Sequence, residues 1–136
     1  MIAAVCAWHE HHEAAANEID RRLAGRAKMI VAAAALVETY AVLTRLPPPH
    51  RLSPQTALTL LENNFFKLGA VVALNAKSYE TLLLRAPKND VAGGRVYDAL
   101  IGACAEQGKA SAVLTFNAVD FTALGQEFDV VVPGTT

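Results

Sequence analysis

Apolar and polar positions alternate with helical spacing over His11–Arg26, where Ala15, Ile19 and Leu23 recur one turn apart and Gly25 marks a stop. Lys28–Ala32 then reads as a short buried strand and Leu36–Leu46 as a helix, with Ala33–Ala35 ambiguous between the two. Pro47, Pro48 and Pro49 break the chain into a loop between helices. Ser53 followed by Pro54 is a cap and first-turn pair, opening a helix to about Phe66 with Leu58, Leu61 and Phe65 turned inward. Ala70–Leu74 is a second apolar run of strand length, after Gly69. Asn75 caps a helix through Tyr79, Leu82 and Leu83 to about Arg85. Pro87–Gly94 is loop, Arg95–Gln107 a helix ending at Gly108, and Ser111–Thr115 and Phe128–Val132 the last two strands. Short, fully apolar strands alternating with helices predict an α/β fold, a parallel sheet flanked by helices on both faces. In such sheets chemistry gathers beyond the carboxyl ends of the strands.

Composition agrees with this architecture and narrows it. The chain has 136 residues, a one-domain length, and no repeat divides it, so residues 1–136 are expected to form a single domain. At 53% hydrophobic and 18% charged it is no disordered chain. Its 26 alanines and 7% aromatics imply elements that approach closely. The net charge of −1 excludes a broad electrostatic grip on nucleic acid but leaves room for a local basic patch. Cys6 and Cys104 stand far apart and in no metal-ligand spacing, which fits a reducing cytosol. Met1–Trp8 lacks a basic leader region, and Met29–Val37 is too short to span a bilayer. The expectation is a cytoplasmic protein with no membrane partner.

Three acids sit where the strand-end rule looks. Glu38 lies in the helix after the first strand, Asp98 in the first turn of Arg95–Gln107, and Asp120 just past the strand Ser111–Thr115. Each has apolar neighbours, and a carboxylate there is costly unless paired or bound to metal. If the three converge, their natural occupant is a hard divalent cation, Mg²⁺ or Mn²⁺, able to activate a water for phosphodiester displacement. Singly, each has a plainer reading: a first-turn acid on the helix dipole for Asp98, a loop or cap for Asp120, a solvated helix face for Glu38.

Five segments carry a family resemblance: HEHHEAA, VETYAVLTRLP, GGRVYDALIGACA, VLTFNAVDF and the closing valine strand. With them the chain resembles the PIN-domain family over nearly its whole length, most specifically the VapC-type toxins of bacterial toxin–antitoxin pairs. GGRVYDA followed by LTFNAVDF is the specific part; VETYAVL alone is weak. The resemblance implies a metal-dependent endoribonuclease, with a VapB-type antitoxin as partner, RNA as substrate, and a homodimer as the expected assembly. Glu38, Asp98 and Asp120 match the family's metal-holding and catalytic acids. Thr115 and Asn117 match the polar members that position them; some relatives carry an acid where Asn117 stands.

One departure matters. The family's first strand ends in Asp-Thr or Asp-Ser, and that aspartate is absent here; the first acid is Glu10. The chain looks shortened at its N-terminus by about one strand of roughly 5–6 residues. Three explanations compete: a true start upstream, Met1–Ala7 sliding into the vacant strand position, or a relative that has lost cleavage and acts by binding antitoxin or RNA. The intact downstream motifs favour the first.

Other residues invite weaker readings. His9, His12 and Glu13 would share a helix face, yet the run is not HExxH and reads as a solvated helix start rather than a zinc site. Gly93 and Gly94 lack the Lys-Ser or Lys-Thr of a phosphate loop. Arg95 is either an RNA phosphate contact or simply exposed. Cys104 reads as a small core residue, and Trp8, Tyr40 and Phe65 as packing residues. Val42, Leu43 and Leu46 form either an apolar docking groove or ordinary core.

Overall fold

The computed structural model describes residues 1–122 and 127–135. The chain divides into two compact units, Met1–Val71 and Val72–Thr136.

In the first unit, helix α1 (Ile2–Val5) precedes α2 (His12–Ala24), strand β1 (Met29–Ala32), α3 (Ala33–Arg45), α4 (Pro54–Leu61) and strand β2 (Gly69–Val72). Met1–Ala7 is therefore not a strand: Ile2–Val5 forms one helical turn. Four residues cannot hold a helix unaided. Here Ala3 and Cys6 are buried, and Val5 packs against the core from the same turn. The alanines at 33–35 join α3, which starts directly from β1. Ser53 Oγ accepts from the Thr56 N–H at 3.2 Å, the cap its sequence position demands. Beyond Leu61 the helix widens into a π-helical segment over Glu62–Phe66. The buried face runs Ala57, Leu61, Phe65, at four-residue spacing, while Leu58 is exposed rather than inward as the spacing predicted.

Two clusters fill this unit. Val31, Leu36, Leu61 and Phe65 form one. Cys6, Leu43 and Ala57 form the other, with Leu46 and Leu52 against it. Leu43 is fully buried, so it belongs to the core and not to a docking groove. Burial of one such side chain is worth about 1.5–3 kcal/mol. Strands β1 and β2 pair, and Gly69 makes the close approach possible. A Cβ there would meet Val31 Cγ2 at 3.0 Å, Met29 Cγ at 3.1 Å and the Phe65 carbonyl oxygen at 3.1 Å.

The second unit holds α5 (Ala76–Arg85), α6 (Arg95–Gln107), β3 (Ala112–Leu114), α7 (Ala118–Thr122) and β4 (Asp129–Val131). Asn75 Oδ1 accepts from the Ser78 N–H at 2.8 Å and starts α5 as the sequence predicts. A 3₁₀ turn, Pro87–Asn89, lies in what reads as loop. β3 and β4 run parallel in the register Ala112–Asp129, Val113–Val130 and Leu114–Val131. α7 begins within TFNAVDF, where the sequence shows only a loop. Among the described residues, no helix is long and apolar enough to cross a membrane.

Candidate active site

The polar end of β3 is set by its backbone. The Thr115 N–H donates to the Val131 carbonyl at 3.0 Å, which carries the parallel ladder one step past the strand. There the chain turns. The Asn117 N–H donates to Thr115 Oγ1 at 2.9 Å, a side-chain-closed turn of the kind that favours Thr outside regular structure. Asn117 stands just before α7, and its side-chain amide donates to the carboxylate of Asp120 in the first turn of that helix. The three residues of the T-x-N-x-x-D pattern are thus coupled: Thr115 fixes Asn117, and Asn117 orients Asp120. Phe121, next to Asp120, is 5% exposed and pins α7 to its surroundings.

Asp98 lies in the first turn of α6, after Gly94, which offers no side-chain cap. Its carboxylate is half-buried and favourably placed on the helix dipole. α6 packs against α7, so Asp98 and Asp120 belong to neighbouring helices of the second unit. Glu38 is exposed on α3, in the first unit. Its neighbour Thr39 is buried and donates to the Ala35 carbonyl at 2.7 Å. Among the described residues, no group of three or more His, Cys, Asp or Glu side chains could hold a metal ion.

The candidate donors of the second unit are both carboxylates, hard oxygen ligands suited to a hard divalent cation. Thr115 Oγ1 accepts from the turn, and the Asn117 side-chain amide donates to Asp120. Arg95 donates from Nη1 to the Asp90 carbonyl at 3.2 Å, tying the start of α6 to the preceding loop. Gly93 in that loop has φ +57°, a left-handed conformation that glycine adopts without strain.

The histidine-rich start has local roles. His9 Nδ1 accepts from the His11 N–H at 3.1 Å, and His12 Nδ1 lies 2.8 Å from the Ala3 carbonyl. Trp8 is not a core residue: it is 48% exposed and stacks on His50 with ring centroids 4.2 Å apart. Tyr40 also reaches the surface, and Phe65 alone of the three predicted packing aromatics is buried. Cys6 and Cys104 are free, buried thiols, and burial pushes both up from the ordinary thiol range. α7 escaped the sequence reading because five residues show no periodicity; its one local signal was Asn117 followed three residues later by Asp120, an acid placed as in a capping box.

Residues 1–125 match the family model described as PIN domain. Ribonuclease VapC40 of Mycobacterium tuberculosis (strain ATCC 25618 / H37Rv) is 42% identical over 102 residues, covering 75% of this chain and 70% of that protein. Ribonuclease VapC27 of the same strain is 39% identical over 108 residues, covering 79% of this chain and 66% of that protein. No solved structure matches the chain significantly.

Proposed function

Because the chain belongs to the PIN-domain family, an α/β fold, we propose that it is a VapC-type endoribonuclease toxin that hydrolyses RNA phosphodiesters with a divalent cation. The likeness to two mycobacterial ribonucleases carries this reading. Its substrate is RNA, its partner a VapB-type antitoxin, its place the cytoplasm and its assembly a homodimer. Asp98 and Asp120, with Glu38 as the third acid, would hold Mg²⁺ or Mn²⁺ together with waters. Such an ion supplies a water nucleophile at neutral pH and charge to offset that developing on the phosphodiester.

The chain's own residues do the positioning. Asn117 holds Asp120 in one orientation, which spares the carboxylate the entropy of being fixed when substrate arrives. Asp98 is placed by the first turn of α6. Both carboxylates present negative charge, so an RNA phosphate approaches only once that charge is compensated.

One observation favours a second reading, a PIN relative that binds RNA or antitoxin without cutting: the aspartate that ends the family's first strand has no counterpart in these 136 residues. Two measurements separate the readings. In thermal unfolding, Mn²⁺ at 100 times its dissociation constant stabilises the folded protein by about 2.7 kcal/mol, and Asp98→Asn abolishes that gain. In a cleavage assay with Mg²⁺ or Mn²⁺ on total RNA, Asp98→Asn and Asp120→Asn each lose more than about 100-fold in rate. Cleavage that survives both substitutions overturns the ribonuclease site. No metal response together with no cleavage selects the second reading.

A further inference from the structure

The second unit contains a groove of about 500 Å³ between α5 and α6. Its α5 wall presents Lys77, Thr81 and Arg85 at four-residue spacing. Four residues advance a helix by about 6 Å, a step of the order of the distance between successive phosphates in an extended nucleic-acid strand. Lys77 and Arg85 are exposed, and no carboxylate pairs with either among the described residues. The α6 wall presents Ala99 and Ala103, whose small side chains leave the groove open, and one acid, Glu106. Ala99, Ala103 and Glu106 share one face of α6, and Asp98 precedes the first of them in the same helix. The two unpaired cations outnumber the one lining acid. This is the local basic feature that a net charge of −1 leaves possible.

We propose that this groove is a phosphate-tracking subsite for single-stranded RNA, with Lys77 and Arg85 each contacting a backbone phosphate and Thr81 donating its hydroxyl between them. The inference rests on the ribonuclease reading and extends it, assigning residues that hold the strand by its backbone. A backbone contact of this kind is independent of sequence and reads no base.

The test is fluorescence anisotropy of a labelled oligo(U) ribonucleotide, titrated in EDTA to prevent cleavage, across a series of salt concentrations. Each lost phosphate contact to a single strand flattens the slope of log K against log salt by about 0.7. Lys77→Ala and Arg85→Ala are expected to flatten it by that amount each, and the double variant by about 1.4. Glu106→Gln is expected to tighten binding without flattening the slope. All three positions are exposed, and circular dichroism is the check that each variant folds. Wild-type binding with an unchanged slope in the double variant overturns the groove and leaves the ribonuclease reading to its own cleavage test. No oligo(U) binding by the wild type overturns the groove as well. If the slope is unchanged while sedimentation shows that the double variant loses self-association, the groove belongs to a second copy of the chain.

Discussion

Gly69→Ala tests the packing of the first unit with the fewest free parameters. The added methyl would lie 3.0 Å from Val31 Cγ2, 3.1 Å from Met29 Cγ and 3.1 Å from the Phe65 carbonyl oxygen. These three neighbours differ in how far they can yield. Met29 is flexible. Val31 is β-branched, 5% exposed and held in the core cluster with Leu36, Leu61 and Phe65. The Phe65 carbonyl is backbone in the π-helical segment and moves only if that segment moves. Overpacking of this kind costs about 1–3 kcal/mol. Restricting the unfolded chain by replacing glycine returns about 0.4–1 kcal/mol. The net is a loss of about 1–2 kcal/mol, equivalent to a fall of roughly 3–10 °C in melting temperature for a chain of this size. Gly94→Ala is the matched control: nothing lies within 4 Å of its Cβ position, and its φ of −60° suits any residue. It is expected to melt at or slightly above the wild type. Calorimetry or circular dichroism decides the matter. A Gly69→Ala protein that melts no lower than wild type would show that β1 and β2 do not approach as closely as described.

Three further outcomes follow from burial and charge. Leu43→Ala, which empties the fully buried site beside Cys6 and Ala57, is expected to cost about 2–5 kcal/mol in urea unfolding; a cost below about 1 kcal/mol contradicts that packing. Cys6 and Cys104 are 5% and 3% exposed, with thiols pushed up by burial, so neither should react with a disulfide reagent at pH 8 until the chain unfolds, and rapid labelling of the native protein would refute their placement. The Arg21 and Arg22 hydrogen bonds hold Glu18 down from 4.5 to about 2. Its contribution is therefore fully present above pH 4.5 and is lost as pH falls toward 2. Glu18→Gln should shrink the acid-side loss of stability, and a carboxyl titration near the ordinary glutamate value would exclude the pairing.

Legibility in the sequence followed local chemistry. The helices that begin at Ser53–Pro54, at Asn75 and at Arg95 were readable because cap and stop residues act within three or four positions, and the structure shows the cap hydrogen bonds of Ser53 and Asn75. The two short helices were not readable, because Ile2–Val5 and Ala118–Thr122 are too brief to show a period and exist through packing. Leu58 misled for a related reason. It satisfies a three-residue spacing, but the buried face runs through Ala57, Leu61 and Phe65, and only contacts distant in sequence select between the two registers. Trp8 misled because size suggests burial, whereas it lies 48% exposed and stacks on His50. In the candidate site, the motif named Thr115, Asn117 and Asp120 together, but only the structure gives the order in which they act.

That order bears on how the site responds to substitution. Thr115 is placed by the backbone ladder to Val131, Asn117 by the hydroxyl of Thr115, and Asp120 by the amide of Asn117. The first link joins β3 to β4, and the other two are hydrogen bonds between residues two and three apart. The carboxylate of Asp120 is thus the end of a chain of local contacts rather than a structural element itself. Asp120→Asn should leave the fold cooperative and close to its original stability, since surface changes away from packing are usually within about 0.5 kcal/mol. Asn117→Ala should also fold, yet release Asp120 to several rotamers and lower activity by about 10–100-fold, the range for a partner that orients a metal-holding group. Asn117→Asp is the sharper variant, because it exchanges the donor for a second carboxylate beside Asp120. The orienting bond is lost and repulsion replaces it unless a cation sits between the two. Its melting temperature should therefore fall in EDTA and recover with Mn²⁺ by more than the wild type gains. Equal metal gains in Asn117→Asp and wild type would mean that Asp120 does not face a cation, and that its pairing with Asn117 is a helix cap and nothing more.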